Sequence, residues 1–127
     1  VIRKLWKELC VGFEYRFFTG IPFEGSSDLY SSMNSEIMHY VPAANELIAL
    51  RMASGARVSG FKSGVLLEPL KINKLDMGFN IEFEIPILII TAVKDIPLRK
   101  GLYSNSSLSK VVACIEEDKK PGVFLLG

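Results

Sequence analysis

The chain has 127 residues, 49% of them hydrophobic, with 15 basic and 14 acidic side chains and a net charge of +1. Such a length and apolar content describe one globular domain, residues 1–127, that can bury a core without disulfide or metal staples. The balanced charge lacks the basic stripe of a nucleic-acid binder, and the longest apolar run, residues 85–93, is far below the roughly 20 residues a membrane-spanning helix needs. Neither nucleic acid nor a membrane is therefore expected as a partner. The opening "VIRKLWKELC" mixes charged with apolar residues and lacks the continuous apolar centre of a secretory signal, so the cytoplasm is the expected compartment.

Ile2, Leu5, Leu9 and Cys10 recur at helical spacing and predict an amphipathic first helix that stops at Gly12. "YRFFTG" reads as an aromatic-rich strand closed by Gly20 and Pro22, and Ser26, Ser27 and Asp28 supply helix-start chemistry for a short segment through Met33. "IMHYV" offers a second strand. Residues 43–59 are apolar or small at nearly every position, which predicts a central helix covered on most sides, ended by Gly60. "GVLLEP" is a third strand, followed by a helix over residues 70–77. "IPILII" has the continuous apolar character of a strand buried on both faces, and parallel strands follow from it. Leu108, Val111, Val112 and Ile115 place another amphipathic helix before a last strand, "GVFLL". Strands alternating with helices predict a doubly wound α/β fold, with a mainly parallel sheet and helices on both faces.

Open α/β sheets bind ligands at the carboxyl ends of their strands, which directs attention to the loops after Gly20, around Pro42 to Glu46, and after Leu67. No glycine-rich phosphate signature occurs in any of them. His39 is the only histidine, so a His-based metal cluster cannot form within the chain, and its place beside Met38 and Tyr40 favours a structural role. Cys10 and Cys114 lie far apart inside apolar helical patterns and read as buried free thiols. Three carboxylates and a lysine remain. Glu46 is either a first-turn acid that answers the helix dipole and caps free donors, or a site carboxylate. Glu68 is either loop solvation or a site wall, and Lys94 with Asp95 is either a solvated turn or an anion contact.

In "YVPAANELIALRMASGARVSG", residues 40–60, a strand ends in P-x-x-x-E, with Pro42 and Glu46, and a small-residue helix carrying Gly55 and Ala56 follows. "FFTGIP" adds a Gly20-Ile21-Pro22 turn, and "EIPILIIT" an apolar strand. These features resemble the pyrimidine-binding (PYR) domain of thiamine-diphosphate-dependent decarboxylases, in particular the sulfopyruvate decarboxylase alpha subunit and the phosphonopyruvate decarboxylases. The likeness runs over residues 2–91. It implies a PYR-type thiamine-diphosphate-binding fold in which Glu46 is catalytic, exchanging a proton with N1′ of the cofactor's aminopyrimidine. Pro22 and Pro42 would help to bind the cofactor, while Glu68, Asn73 and Lys94 would face the 2-oxo acid substrate.

Two departures shape that implication. The family's Q-N-S-G-x-G-N turn is replaced by Glu68-Pro69-Leu70-Lys71-Ile72-Asn73, which removes polar groups expected near the substrate and sets a carboxylate where a sulfonate or phosphonate would be repelled. The G-D-G…N motif that holds magnesium and diphosphate is missing from these residues. A beta-type partner subunit must then supply Mg2+ and the diphosphate site, so the chain would be inactive alone and would work in a homo- or hetero-oligomer, with the small-residue helix near an interface. A diverged, non-catalytic α/β domain, serving as an interaction or small-ligand module, is the other reading.

Overall fold

The structure, a computed structural model, describes residues 2–23, 26–33, 36–72, 85–92 and 102–126. Helix α1 (Ile2–Lys7) runs directly into a π-helical turn, Glu8–Gly12, and together they bury Leu5, Trp6, Leu9 and Cys10. The chain then reverses through Glu14, whose φ of 64° lies in the left-handed region. Tyr15 N–H donates to the Leu9 carbonyl at 2.9 Å, which fixes the entry into β1 (Phe17–Gly20). There follow α2 (Ser27–Ser31), β2 (His39–Pro42), α3 (Glu46–Val58), β3 (Ser63–Leu66), α4 (Pro69–Ile72), β4 (Leu88–Ala92), β5 (Tyr103–Asn105), α5 (Leu108–Asp118) and β6 (Gly122–Leu126).

The described strands form one sheet in the order β2-β1-β3-β4-β6-β5, every pair parallel. Side chains alternate across it, as the period of two in a strand requires. Phe18, Leu66, Leu88, Ile90 and Phe124 pack on one face with α1, α2 and α5. Val65, Ile87, Ile89 and Val123 pack on the other with Ala49, Leu50 and Ala53 of α3 and with Ile72 of α4. The fold is thus the doubly wound parallel α/β architecture that the alternation of elements predicts.

Several boundaries differ from the sequence reading, each for a local reason. Helix α3 begins at Glu46, not Ala43, because Asn45 is extended (φ −158°, ψ 175°) and its side chain accepts the Ile48 N–H at 2.9 Å. Ala43 instead continues the sheet, donating its N–H to the Gly20 carbonyl at 3.1 Å. Nor is α3 covered on most sides. It buries Ala49, Leu50, Ala53 and Ser54 against β1 and β3 and leaves Ile48, Arg51, Gly55 and Val58 exposed.

The "IPILII" strand starts only at Leu88. Pro86 has no N–H to give to a ladder, and the Ile87 N–H turns back to the Ile85 carbonyl at 2.9 Å. Of the helix expected over 70–77, Pro69–Ile72 is present, and residues 73–77 lie outside the described residues. Cys10 is buried, whereas Cys114 is only half-buried, off the apolar stripe of α5, with its Sγ donating to Asp118 at 3.2 Å. His39, expected to be structural, is exposed at the first residue of β2.

Candidate functional site

From β1 the chain leads through α2 outward to β2, while from β3 it leads through α4 the other way to β4. Two neighbouring strands whose connections diverge leave a crevice between their carboxyl ends, the usual ligand position in such sheets. Into this crevice come the Gly20-Ile21-Pro22-Phe23 turn after β1 and the Leu67-Glu68 step after β3. Helix α3, returning from β2, adds its first residue, Glu46. A cavity of about 70 Å³ is lined by Ile21, Pro22 and Phe23 on one side, Leu67, Glu68 and Lys71 on another, and Glu46. It is a notch with room for about two waters, so a larger ligand must lie across its mouth.

The turn that walls the notch is tightly held. A Cβ built on Gly20 would stand 2.5 Å from the Leu66 carbonyl oxygen and 3.0 Å from its amide nitrogen, so only glycine allows β1 and β3 to meet there. The Gly20 carbonyl accepts from Ala43 N–H at 3.1 Å and from Tyr40 Oη at 3.2 Å. Tyr30 sets its ring edge-on against Tyr40, with centroids 5.2 Å apart. Burial pushes the Tyr30 phenol well above its ordinary pKa, so it stays neutral behind the turn.

Glu46 sits on a rigid mount, since Asn45 caps α3 and leaves the Glu46 carboxylate free of any capping duty. The carboxylate meets Lys71 Nζ at 3.7 Å, a long contact with Glu46 25% and Lys71 48% exposed. Such a pair is screened by water and holds Glu46 weakly. Among the described residues the setting of Glu46 is only partly dry, because its side chain still reaches solvent past Lys71.

Of the residues singled out from sequence, Glu46, Pro22 and Glu68 meet in the notch. Pro42 does not, as it pairs in register with Gly20 at the end of β2 and is exposed there. Asn73, Lys94 and Asp95 lie outside the described residues. Lys71, Phe23 and Tyr40 were not anticipated. Lys71 carried a readable signal, because Pro69 opens a helix and places the residue two positions on beside its first turn. Tyr40 carried none, since a strand tyrosine reads equally well as core. No group of three or more His, Cys, Asp and Glu side chains among the described residues is placed to hold a metal ion.

No protein-family model matches the chain, and no curated protein matches it. Among solved structures it resembles 2-oxoglutarate:ferredoxin oxidoreductase from Magnetococcus marinus, with 2-oxoglutarate, coenzyme A and succinyl-CoA bound. The TM-score is 0.68 at 13% identity, over 98% of this chain and 28% of that one. The chain therefore spans little more than a quarter of that protein's length, and what the likeness establishes is the shared fold.

Proposed function

We propose that the chain is the pyrimidine-binding subunit of a thiamine-diphosphate-dependent 2-oxo acid decarboxylase resembling sulfopyruvate decarboxylase. The observation that carries this reading is the place of Glu46, a carboxylate on the first residue of a capped helix, in the switch-point crevice against the Ile21-Pro22 turn. The solved enzyme of similar fold is named for 2-oxoglutarate, a 2-oxo acid, which is the substrate class that the sequence resemblance implies.

The residues present fit one edge of an aminopyrimidine, with a carboxylate to exchange a proton at N1′ and apolar Ile21, Pro22 and Leu67 to exclude water from that edge. Bound thiamine diphosphate supplies a thiazolium that takes up the electron pair left when carbon dioxide departs. Glu46 would hold a proton at N1′, where a fixed carboxyl group in a water-poor site acts more strongly than in bulk water. Lys71 would release Glu46 and swing to solvent, a small displacement for a half-exposed side chain. The diphosphate and Mg2+ belong to a beta-type partner subunit, whose surface would also cover the exposed side of Glu46.

The test is carbon-2 proton exchange on bound cofactor, followed by NMR after acid quench, in the assembly with its partner chain. Glu46→Gln should slow exchange by roughly 10² to 10⁴, the worth of a positioned acid-base group. Equal rates would return Glu46 to a structural role. One observation favours a second reading, a non-catalytic small-ligand module: Glu68 shares the notch with Glu46, and Lys71 already answers the charge. On that reading the exchange rate is insensitive to Glu46.

A further inference from the structure

The notch that holds Glu46 has one wall, Ile21 to Phe23, that belongs to no helix or strand. β1 ends at Gly20, so from Ile21 onward the sheet ladder stops and each peptide group must find its partner elsewhere. Ile21 N–H reaches the Leu66 carbonyl at 3.4 Å, and Pro22 has no N–H to satisfy. At Phe23 a side chain takes over. Phe23 N–H donates to Ser26 Oγ at 2.8 Å, and Ser26 Oγ donates in turn to the Phe23 carbonyl at 2.5 Å.

Ser26 is 1% exposed and stands just before α2, where its residue type predicts a helix cap. It does not cap. Its backbone lies at φ −93°, ψ −5°, unlike the extended Asn45 that caps α3, and its hydroxyl makes no bond to the first turn of α2. A buried hydroxyl is thus committed to both sides of one loop residue. The other end of the wall is held by Tyr40 Oη on the Gly20 carbonyl, an oxygen that also accepts the Ala43 N–H three residues before Glu46. Two side-chain hydroxyls therefore fix Ile21, Pro22 and Phe23 relative to the carboxylate that shares the notch with them.

We propose that Ser26, with Tyr40 at the far end, is a positioning residue: it sets the apolar wall so that a flat ring laid against it presents its edge to Glu46. This rests on the function proposed above, in which that ring is the cofactor's aminopyrimidine. Neither hydroxyl lines the notch itself. Their effect is on where the ring comes to rest, and misplacing a reacting edge by about 1 Å can cost about 10²-fold in rate.

In the assembly with its partner chain, saturated with thiamine diphosphate and Mg2+, Ser26→Ala should slow carbon-2 proton exchange by roughly ten- to a hundredfold. It should slow exchange no further in a Glu46→Gln background, because the wall acts through the carboxylate. A merely structural Ser26 would change stability or cofactor affinity and leave the saturated rate as it was. Tyr40→Phe, which keeps the ring against Tyr30, should repeat the pattern, so the outcome does not depend on one buried variant folding. In the chain alone, amide hydrogen exchange at Phe23 should quicken by roughly threefold to tenfold in Ser26→Ala. The inference alone is overturned by cofactor exchange that responds to Glu46→Gln but to neither hydroxyl variant, by equal slowing in both backgrounds, or by a Phe23 amide equally protected without the hydroxyl. Cofactor exchange that ignores Glu46→Gln overturns the proposed function and this inference with it.

Discussion

Arg57 on α3 and Glu116 on α5 form a two-pronged ion pair, Nη1 to Oε1 at 3.0 Å and Nη2 to Oε2 at 2.9 Å, between helices that pack on opposite faces of the sheet. Both residues lie near the carboxyl ends of their helices, at the amino ends of the strands, so the pair clasps the two layers around the sheet's lower rim. Planar guanidinium against carboxylate is the strongest geometry open to such groups. The side chains are 16% and 28% exposed, which limits screening by water.

Acid should loosen this clasp. The Arg57 hydrogen bonds hold the Glu116 carboxyl below its ordinary pKa, partial burial opposes them, and the charges of Arg57, Lys62 and Lys119 add to the lowering. A depressed folded pKa means that the stabilisation is fully present above the unfolded value of about 4.3 and is lost as pH falls through the folded value. Urea midpoints should therefore drop on acidification below about pH 4.3 in the natural chain, with that component missing from Glu116→Gln. At neutral pH the same variant should lose about 1–2 kcal/mol. A Glu116→Gln chain with the same acid profile as the natural one would show that the clasp is not formed in solution.

Lys71→Gln should behave in the opposite way. Its contact to Glu46 is long and half-exposed, so its removal should change stability by less than about 1 kcal/mol. Thermal or urea unfolding measures this directly, and a loss of several times that size would mean that Lys71 is buried against Glu46 in solution.

Much of the architecture was legible because parallel strands buried on both faces leave long apolar runs, as in 87–90 and 122–126, and helices leave stripes such as Leu108, Val111, Val112 and Ile115. What escaped was short or context-dependent. Strand β5 is three residues, Tyr103–Asn105, among serines, and it exists because β6 offers it a ladder. The start of α3 moved because Asn45 competes for the cap with the helix-forming Ala43 and Ala44. At the site, Glu46 could be picked out because its place after Pro42 is local, whereas the approach of Phe23 and Lys71 depends on three chain segments meeting.

Gly20→Ala should be among the most damaging single changes. Its new methyl would press on Leu66 backbone atoms that the sheet holds in register, so relief requires strands β1 and β3 to part. A loss of about 2 kcal/mol or more is expected in denaturant unfolding. On the function proposed above, cofactor binding should weaken with it, since Ile21 and Pro22 follow directly.

Thr19→Val should raise stability. Thr19 is fully buried in β1 and its Oγ1 has no hydrogen-bond partner among the described residues. Replacing the hydroxyl with a methyl of similar shape removes a desolvated, unsatisfied group and should gain up to about 1 kcal/mol. A shift of the urea midpoint downward would mean that the hydroxyl has found a partner in solution.

The sheet's two outer strands bear on how the chain meets other molecules. On one flank stands β2, four residues long and ended by Pro42, which has no N–H to offer a newcomer. On the other flank is β5, three residues long with Tyr103 and Ser104 at its start. Among the described residues neither margin offers more than four residues of backbone to a further strand, which disfavours growth of the sheet at either side. Short margins of this kind discourage indiscriminate backbone pairing and leave recognition to side chains on helices and loop tips.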